Sequence, residues 1–482
     1  MQTKFPRILL PILLLLCLTL PHLDQGEFRR DTVRYAAVGH HMFAEGDLVA
    51  PELRPGVPYF NKPPLTLWLH GATLHLTGVS LAAARLPSIF AAAGVVLLSM
   101  LCVYRLATRS EAVVSGFALV LTYEFFRRTR EISLDLWQLL FLMGAAYCVV
   151  CSLRHARVPL GHYAGAGACV GLALLCKPLI GLAAFVVFPI WLLIAGQRDR
   201  ILPMLAIGIP VALAVALPWH LEMWARFGQA FTDQYFGNQI VDRARGAHGS
   251  EGALFYLTMS EWSSYPWVAA GLAVGIYLRR RSRRGGDRDL VLFGLTWALP
   301  FVIGLSIFAD KKPNYALLVW PMLSWVVAYG LCRLRIPLFS RWHQTGYRWL
   351  APTAVGVALI VAMSPVKIQD GKQTELAQVF GYLDQNGVER EAVIAHRLAP
   401  NDYCYLYLMS GGRAWPKDRG EAGSDYIVSR EKSRDGAKRK LRVGKYYVWK
   451  QRRTEGFHQH ATATASASAA GRSALPGVPT GR

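Results

Sequence analysis

Charge is scarce in this chain, and acid is scarcer: 17% of the 482 residues are charged, with 31 Asp and Glu against 53 Lys and Arg. No glycine-rich loop of the kind that cradles nucleotide phosphates is present, which argues against a nucleotide-bound donor. The eight cysteines show no paired spacing. Seven lie in or beside apolar runs and only Cys404 stands in polar sequence. That usage speaks for small buried hydrophobes rather than an external disulfide or a metal site. Ionisable residues are almost absent from the interiors of the apolar runs. Ion-coupled transport needs acids or bases inside the membrane, so their lack makes a transporter or flippase the weaker reading.

What is abundant is long apolar sequence, 53% of the residues being hydrophobic. Runs near 7–23, 84–104, 111–126, 134–153, 160–176, 179–195, 201–219, 260–278, 289–309, 314–333 and 349–365 are long enough to cross a bilayer as helices. The expected class is therefore an all-α polytopic membrane protein of about eleven transmembrane helices. The first run has a basic start at Lys4 and Arg7, but Pro21-His22-Leu23-Asp24 makes a poor cleavage site. It reads as a retained helix. With the N-terminus in the cytoplasm, the cluster Arg279-Arg280-Arg281-Ser282-Arg283-Arg284 falls inside, as the positive-inside rule requires. The net charge of +22 is then an orientation signal, and no nucleic-acid partner is expected.

The first long polar interval, Asp31 to Trp68, lies on the opposite side. Asp31 to Glu45 reads as an amphipathic helix with Tyr35, Val38 and Met42 on one stripe. Asp31 either caps that helix or, with Arg34 and Tyr35 a turn later, belongs to a site. Prolines then hold Lys62 of Asn61-Lys62-Pro63-Pro64 in stiff, extended chain. Leu65 to Leu76 is too short to span and reads as an interfacial helix. The next outside loop, EFFRRTREISLD, carries Arg127, Arg128 and Arg130, either a headgroup anchor or an anion site, and ends on Asp135, either a cap or a functional acid. Lys177 sits at a hairpin tip and reads as a snorkelling lysine. A loop over about 220–259 and the turn Asp310-Lys311-Lys312-Pro313-Asn314-Tyr315 complete that face.

Residues 1–365 thus form a transmembrane domain with outside loops at 24–83, 127–134 and 220–259. Residues 366–457 alternate a helical pattern (Gln373 to Asn386) with strand-like ones (Ala392 to Ala395, Tyr403 to Met409, Asp425 to Val428, Tyr446 to Trp449). They suggest a small extramembrane α/β domain. The low-complexity tail 458–482 is expected to be disordered.

Cations suited to phosphate, together with one or two carboxylates at a membrane surface, fit a lipid-linked phosphate substrate entering from the bilayer. The segments DTVRY, PYFNKPPLTLW, RTREISLD, GLALLCKPLIG, LPWH and DKKPNYALLVWP resemble, in that order, the GT-C type polyprenyl-phosphate-sugar glycosyltransferases. That family includes the lipid A aminoarabinose transferases and relatives of the protein O-mannosyltransferases. The resemblance implies a GT-C-like fold in a bacterial inner membrane and an inverting transfer at the periplasmic face. The donor would be an undecaprenyl-phosphate sugar and the acceptor a lipid, glycan or protein hydroxyl. A lipid-linked sugar transporter or a glycan polymerase is the alternative. The resemblance also implies roles. Asp31 takes the place of the catalytic first-loop carboxylate and Asp135 that of a second functional aspartate. Arg34, Tyr35, Lys62, Lys311 and Tyr315 take the places of donor-binding residues, and Arg127, Arg128 and Arg130 would draw the acceptor's charge. Two departures stand out: Thr32 where the family usually has Glu, and Asn61 where it usually has Glu before the lysine. If relatives hold a metal through that acid and a histidine near His220, Asn61 makes metal binding doubtful. No cofactor is expected.

Overall fold

The computed structural model describes residues 6–21, 23–25, 28, 30–154, 159–177, 180–241, 252, 255–258, 285–307, 311–333, 375–388, 393–396, 398–412, 426–430 and 437–451. The chain divides into two compact units. The first comprises residues 1–372 and 404–413, the second residues 373–403 and 414–482.

In the first unit, α1 (Pro6–Thr19) is followed by α2 (Arg30–Glu45), a two-strand ribbon of β1 (Glu52–Arg54) and β2 (Val57–Pro58), and α3 (Leu65–Thr77). There follow α4 (Leu81–Leu106), α5 (Arg109–Val120), α6 (Tyr123–Thr129), α7 (Leu134–Ser152), α8 (Leu160–Leu174), α9 (Ala184–Ile194) and α10 (Ile201–Thr232). Two later helices are Gly285–Ile307 and Trp320–Arg333, the second entered through a 3-10 turn at Pro313–Val319. Nine of the eleven apolar runs coincide with these helices, and those at 260–278 and 349–365 lie outside the described residues. Among the described residues, four helices are long and apolar enough to cross a membrane: Leu81–Leu106, Leu134–Ser152, Arg198–Gly237 and Asn314–Cys332.

The packing is that of a membrane bundle, in which close backbone approach replaces a hydrophobic driving force. α7 packs on α4 and α8, and α8 on α10. At the last crossing a Cβ on Gly167 would run into the Gly208 carbonyl. The same device joins α2 to α3. A Cβ on Gly39 would stand 2.6 Å from the Leu67 carbonyl, and one on Gly71 would overlap Gly39 itself. The Tyr35–Val38–Met42 stripe packs there with Tyr59 and Leu67.

α10 departs from expectation. Instead of ending near residue 219 it runs on to a kink at Gly228 (φ 51°, ψ −128°), beyond which the chain is helical again to Thr232 and Asp233–Val241 follows as a π-helix. Leu221 to Phe227 contains no breaker, so the helix passes Pro218 and is interrupted at Gly228, a residue free to take positive φ. The uninterrupted part, residues 201–227, is about 40 Å long, beyond the ~30 Å hydrocarbon core.

The second unit holds the helix Glu375–Gln385 and a four-stranded sheet of β3 (Val393–His396), β4 (Tyr426–Ser429), β5 (Ala437–Val443) and β6 (Tyr446–Gln451) in the order β3-β4-β6-β5. β3 and β4 are parallel, and the other two pairings are antiparallel. The stretch Tyr403 to Met409, expected as a strand, is helical within Pro400–Met409. A short all-apolar run does not separate strand from helix by period. The start signals decide: proline at the first helical position, and an Asp402 carboxylate that accepts from the Ala399 N–H at 3.0 Å. The tail 458–482 lies outside the described residues.

Candidate active site

The centre of the site is Asp135, at the second position of α7. It does not cap its helix. Ser133 does that, its Oγ accepting from Leu136 N at 3.2 Å. The Asp135 carboxylate is free for other partners. Its Oδ1 accepts from Lys177 Nζ at 2.6 Å and its Oδ2 from Asn314 Nδ2 at 2.8 Å. Both charged side chains are deeply buried, with 10% of Lys177 and 12% of Asp135 exposed. The Lys177 ammonium also lies over the Tyr315 ring, 4.1 Å from its centroid.

Three pieces of chain bring these groups together. α7 supplies Asp135. The chain leaving α8 supplies Lys177, and the turn at Pro313 supplies Asn314 and Tyr315. The Lys62-Pro63-Pro64 segment joins them, because Leu65 N donates to the Leu175 carbonyl at 3.0 Å, two residues before Lys177. Lys62 and Lys311 are both buried.

α2 contributes the other half. Arg34 donates to the Asp31 carboxylate. Burial opposes the charge on Arg34, but Tyr59 and Asp31 outweigh it and raise its pKa. The Tyr35 hydroxyl is pushed well above its usual value, first by burial and then by Tyr59 and Asp31, with Asp135 adding to the effect. Tyr35 therefore stays protonated. It also sits within electrostatic reach of both carboxylates, which links the α2 group to the Asp135 group.

The arginines are differently placed. Arg127 pairs with Glu124 at 3.0 Å and with Glu131 at 3.4 Å. Arg128 pairs with Glu131 at 2.9 Å while still adding to the field at Asp135. Arg130 Nη1 donates to the Pro21 carbonyl at 3.2 Å. Their charge is thus largely matched within the loop.

Sequence reasoning passed over Lys177 and Asn314 as site residues. The available signal was a lysine next to proline in apolar sequence, repeating the Lys-Pro steps at Lys62 and Lys312.

The place where relatives would hold a metal does not suit one here. Asn61 Oδ1 accepts from Gln234 Nε2 at 3.2 Å. The His220 ring is engaged through Nδ1 with the Ala216 carbonyl at 2.8 Å and through Nε2 with the Tyr235 hydroxyl at 2.9 Å. An amide and an engaged imidazole offer no anionic ligand to a divalent ion. Among the described residues, no group of three or more His, Cys, Asp or Glu is arranged to hold a metal.

This fold is that of the GT-C membrane glycosyltransferases, and the chain resembles that class in sequence as well. A family profile described as dolichyl-phosphate-mannose-protein mannosyltransferase matches residues 61–221. The undecaprenyl phosphate-alpha-4-amino-4-deoxy-L-arabinose arabinosyl transferase of Serratia proteamaculans is 28% identical over 335 residues, which is 67% of this chain and 59% of that protein. A second such transferase, from Pseudomonas fluorescens, is 28% identical over 64% of this chain and 53% of its own length. The chain therefore spans less than two thirds of the length of these curated relatives. Among solved structures, ArnT from Cupriavidus metallidurans bound to undecaprenyl phosphate aligns with a TM-score of 0.68 at 18% identity, covering 92% of this chain and 97% of that one. The Archaeoglobus fulgidus oligosaccharyltransferase AglB aligns with a TM-score of 0.52 at 13% identity, over 88% of this chain and 69% of that one.

Proposed function

We propose that this protein is an inverting membrane glycosyltransferase that moves a sugar from a polyprenyl-phosphate carrier to an acceptor at the periplasmic face of a bacterial inner membrane. The observation that carries the reading is the buried Asp135–Lys177 pair with Asn314 and Tyr315 around it. A scaffold gains little from such a pair, since a hydrophobic replacement of similar volume is often as stable. The similarity to arabinosyl transferases that use undecaprenyl phosphate-linked aminoarabinose supports the donor class.

In this reading Lys62, Arg34 and Tyr315 hold the carrier phosphate and stabilise charge on it as it leaves. Lys311 adds to that cationic wall. Asp31, more exposed than Asp135, orients the acceptor nucleophile. With a hydroxyl acceptor it takes the proton as the acceptor oxygen bonds to the anomeric carbon and the bond to the carrier phosphate breaks. An anionic phosphate acceptor, as on lipid A, needs no base. Arg127, Arg128 and Arg130 then serve chiefly to shape the loop and add positive field. Asp135 holds the Lys177 side chain in place. About eleven spans and an extramembrane C-terminal domain belong to the same reading.

The test uses purified protein with undecaprenyl-phosphate-linked sugars and total envelope lipid, analysed by mass spectrometry. Donor loss with a new glycosylated product, abolished by Asp31→Asn and by Asp135→Asn, is the expected result. Intact donor with every sugar, or a donor that changes leaflet without being consumed, would favour a flippase.

A further inference from the structure

Gln138 lies one turn along α7 from Asp135, on the same face, and has no solvent exposure at 0%. Its Nε2 donates to the Lys177 carbonyl at 3.1 Å and to the Ala173 carbonyl at 3.4 Å. The Ala173 carbonyl lies in the last turn of α8, where backbone acceptors lack partners within the helix, and the Lys177 carbonyl lies just beyond its end. Lys177 N closes on the same Ala173 carbonyl at 3.2 Å. The residue at the C-cap, Leu175, keeps right-handed helical dihedrals, so no left-handed glycine turn fixes the exit of the chain. The Gln138 amide acts in its place.

Having committed Nε2 to the two carbonyls, Gln138 leaves its Oε1 buried with no hydrogen-bond donor among the described residues. A buried acceptor of that kind costs stability, and an isosteric methionine would avoid the cost. A polar side chain kept at such a position, beside an ion pair, points to a role in placing that pair.

We propose that Gln138 is a positioning residue: its amide holds the Lys177 backbone so that the ammonium reaches Asp135 and the Tyr315 ring. The inference rests on the reading that the Asp135–Lys177 pair serves sugar transfer from a lipid phosphate. Through Lys177, Gln138 sets how the cationic wall meets the carrier phosphate without touching it.

The experiment compares wild type, Gln138→Met and Gln138→Glu as full chains in detergent. Amine acylation followed by mass spectrometry reads the labelling of Lys177, with exposed Lys445 as the chemical reference and Lys62 as a buried reference on another element. Gln138→Met should raise Lys177 labelling several-fold relative to both references, with the melting temperature little changed. Gln138→Glu donates only when protonated. Its Lys177-to-Lys445 ratio should therefore return towards the wild-type value as pH falls, which simple helix adhesion would not produce. In transfer assays, kcat for Gln138→Met should fall about tenfold, on the scale of a slightly misplaced catalytic group, with KM less affected. An unchanged labelling ratio in both variants overturns the proposal. So does a uniform rise at Lys177 and Lys62 with a lowered melting temperature, which marks a structural contact only. If wild type transfers no sugar but the labelling responds as described, the functional reading falls and the positioning role stands.

Discussion

Breaking the Asp135–Lys177 pair from one side and then from both separates scaffold from chemistry. Lys177→Met strands a carboxylate that is 12% exposed, leaving Asn314 as the remaining hydrogen bond in its immediate shell. Removing one partner of a buried pair costs roughly 3–5 kcal/mol. Asp135→Asn leaves the ammonium over the Tyr315 ring, a contact worth up to about 2 kcal/mol when desolvated, so its cost is smaller. The double variant Asp135→Asn/Lys177→Met removes both charges and with them both desolvation penalties. It should be no less stable than the worse single variant, giving a coupling energy of about 2–4 kcal/mol in the cycle. Thermal unfolding in detergent, followed by tryptophan fluorescence, reads this as a melting temperature recovered by several degrees in the double variant. Sugar transfer should not recover with it, because the charges themselves are gone. Additive costs would refute the buried pair, and transfer restored in the double variant would reduce it to scaffold.

Three further outcomes follow from the geometry. Asp31→Asn should abolish transfer with a stability change below about 1 kcal/mol, since the Asp31 side chain is 52% exposed and its pair with Arg34 is a surface one. Gly71→Ala should reduce folded yield and activity together, because its Cβ would overlap Gly39, while Gly161→Ala, with open space around it, should behave as wild type in the same expression and melting assays. The His70 imidazole is pushed down to about 4 by burial, against its Nδ1 contact with the Ala84 carbonyl at 2.7 Å. Its Nε2 accepts from Trp137 Nε1 at 3.2 Å, so the ring is held neutral. A histidine with a depressed pKa binds its proton more readily when unfolded. Its stabilising contribution is complete above the unfolded value near 6.5 and falls away towards pH 4, by up to roughly 3 kcal/mol. Melting temperatures measured from pH 4 to 7 should rise with pH in wild type and rise less in His70→Asn, and equal slopes would count against the assignment.

The parts of the fold legible in the sequence were those written as periodicity. The Tyr35–Val38–Met42 stripe appears as the packed face of α2, and Leu65 to Leu76 as α3. What escaped depended on partners distant in sequence or on weak boundary signals. Tyr403 to Met409 is apolar at every step, so only its capping residues tell helix from strand. The arginine loop reads in sequence as a headgroup anchor or an anion site, and the structure adds that Glu124 and Glu131 flank it at helical spacing and take up Arg127 and Arg128. Lys177 looked like an interfacial lysine because its partners stand 42 and 138 residues away in the sequence, at Asp135 and Tyr315. Local pattern carries no trace of a pairing at that separation.

The placement of the polar groups nevertheless has a physical logic. A membrane bundle satisfies its backbone inside helices, so side-chain chemistry gathers where helices begin and end. Asp135 opens α7, Lys177 follows α8, and Asn314 and Tyr315 occupy the turn before Trp320–Arg333. Lysine precedes proline at Lys62, Lys177 and Lys312. Proline disfavours helical dihedrals in the residue before it, and Lys312 shows the consequence, with φ −133° and ψ 138°. At such a step helical dihedrals are disfavoured at the lysine, and no backbone donor is added that would need burying, because proline has none. A Lys-Pro step at a helix boundary thus combines a cation with a chain end that makes few demands on its surroundings. The Lys62 and Lys177 steps meet through the Leu65 N–H bond to the Leu175 carbonyl, and the Lys312 step stands two residues before Asn314, a partner of Asp135.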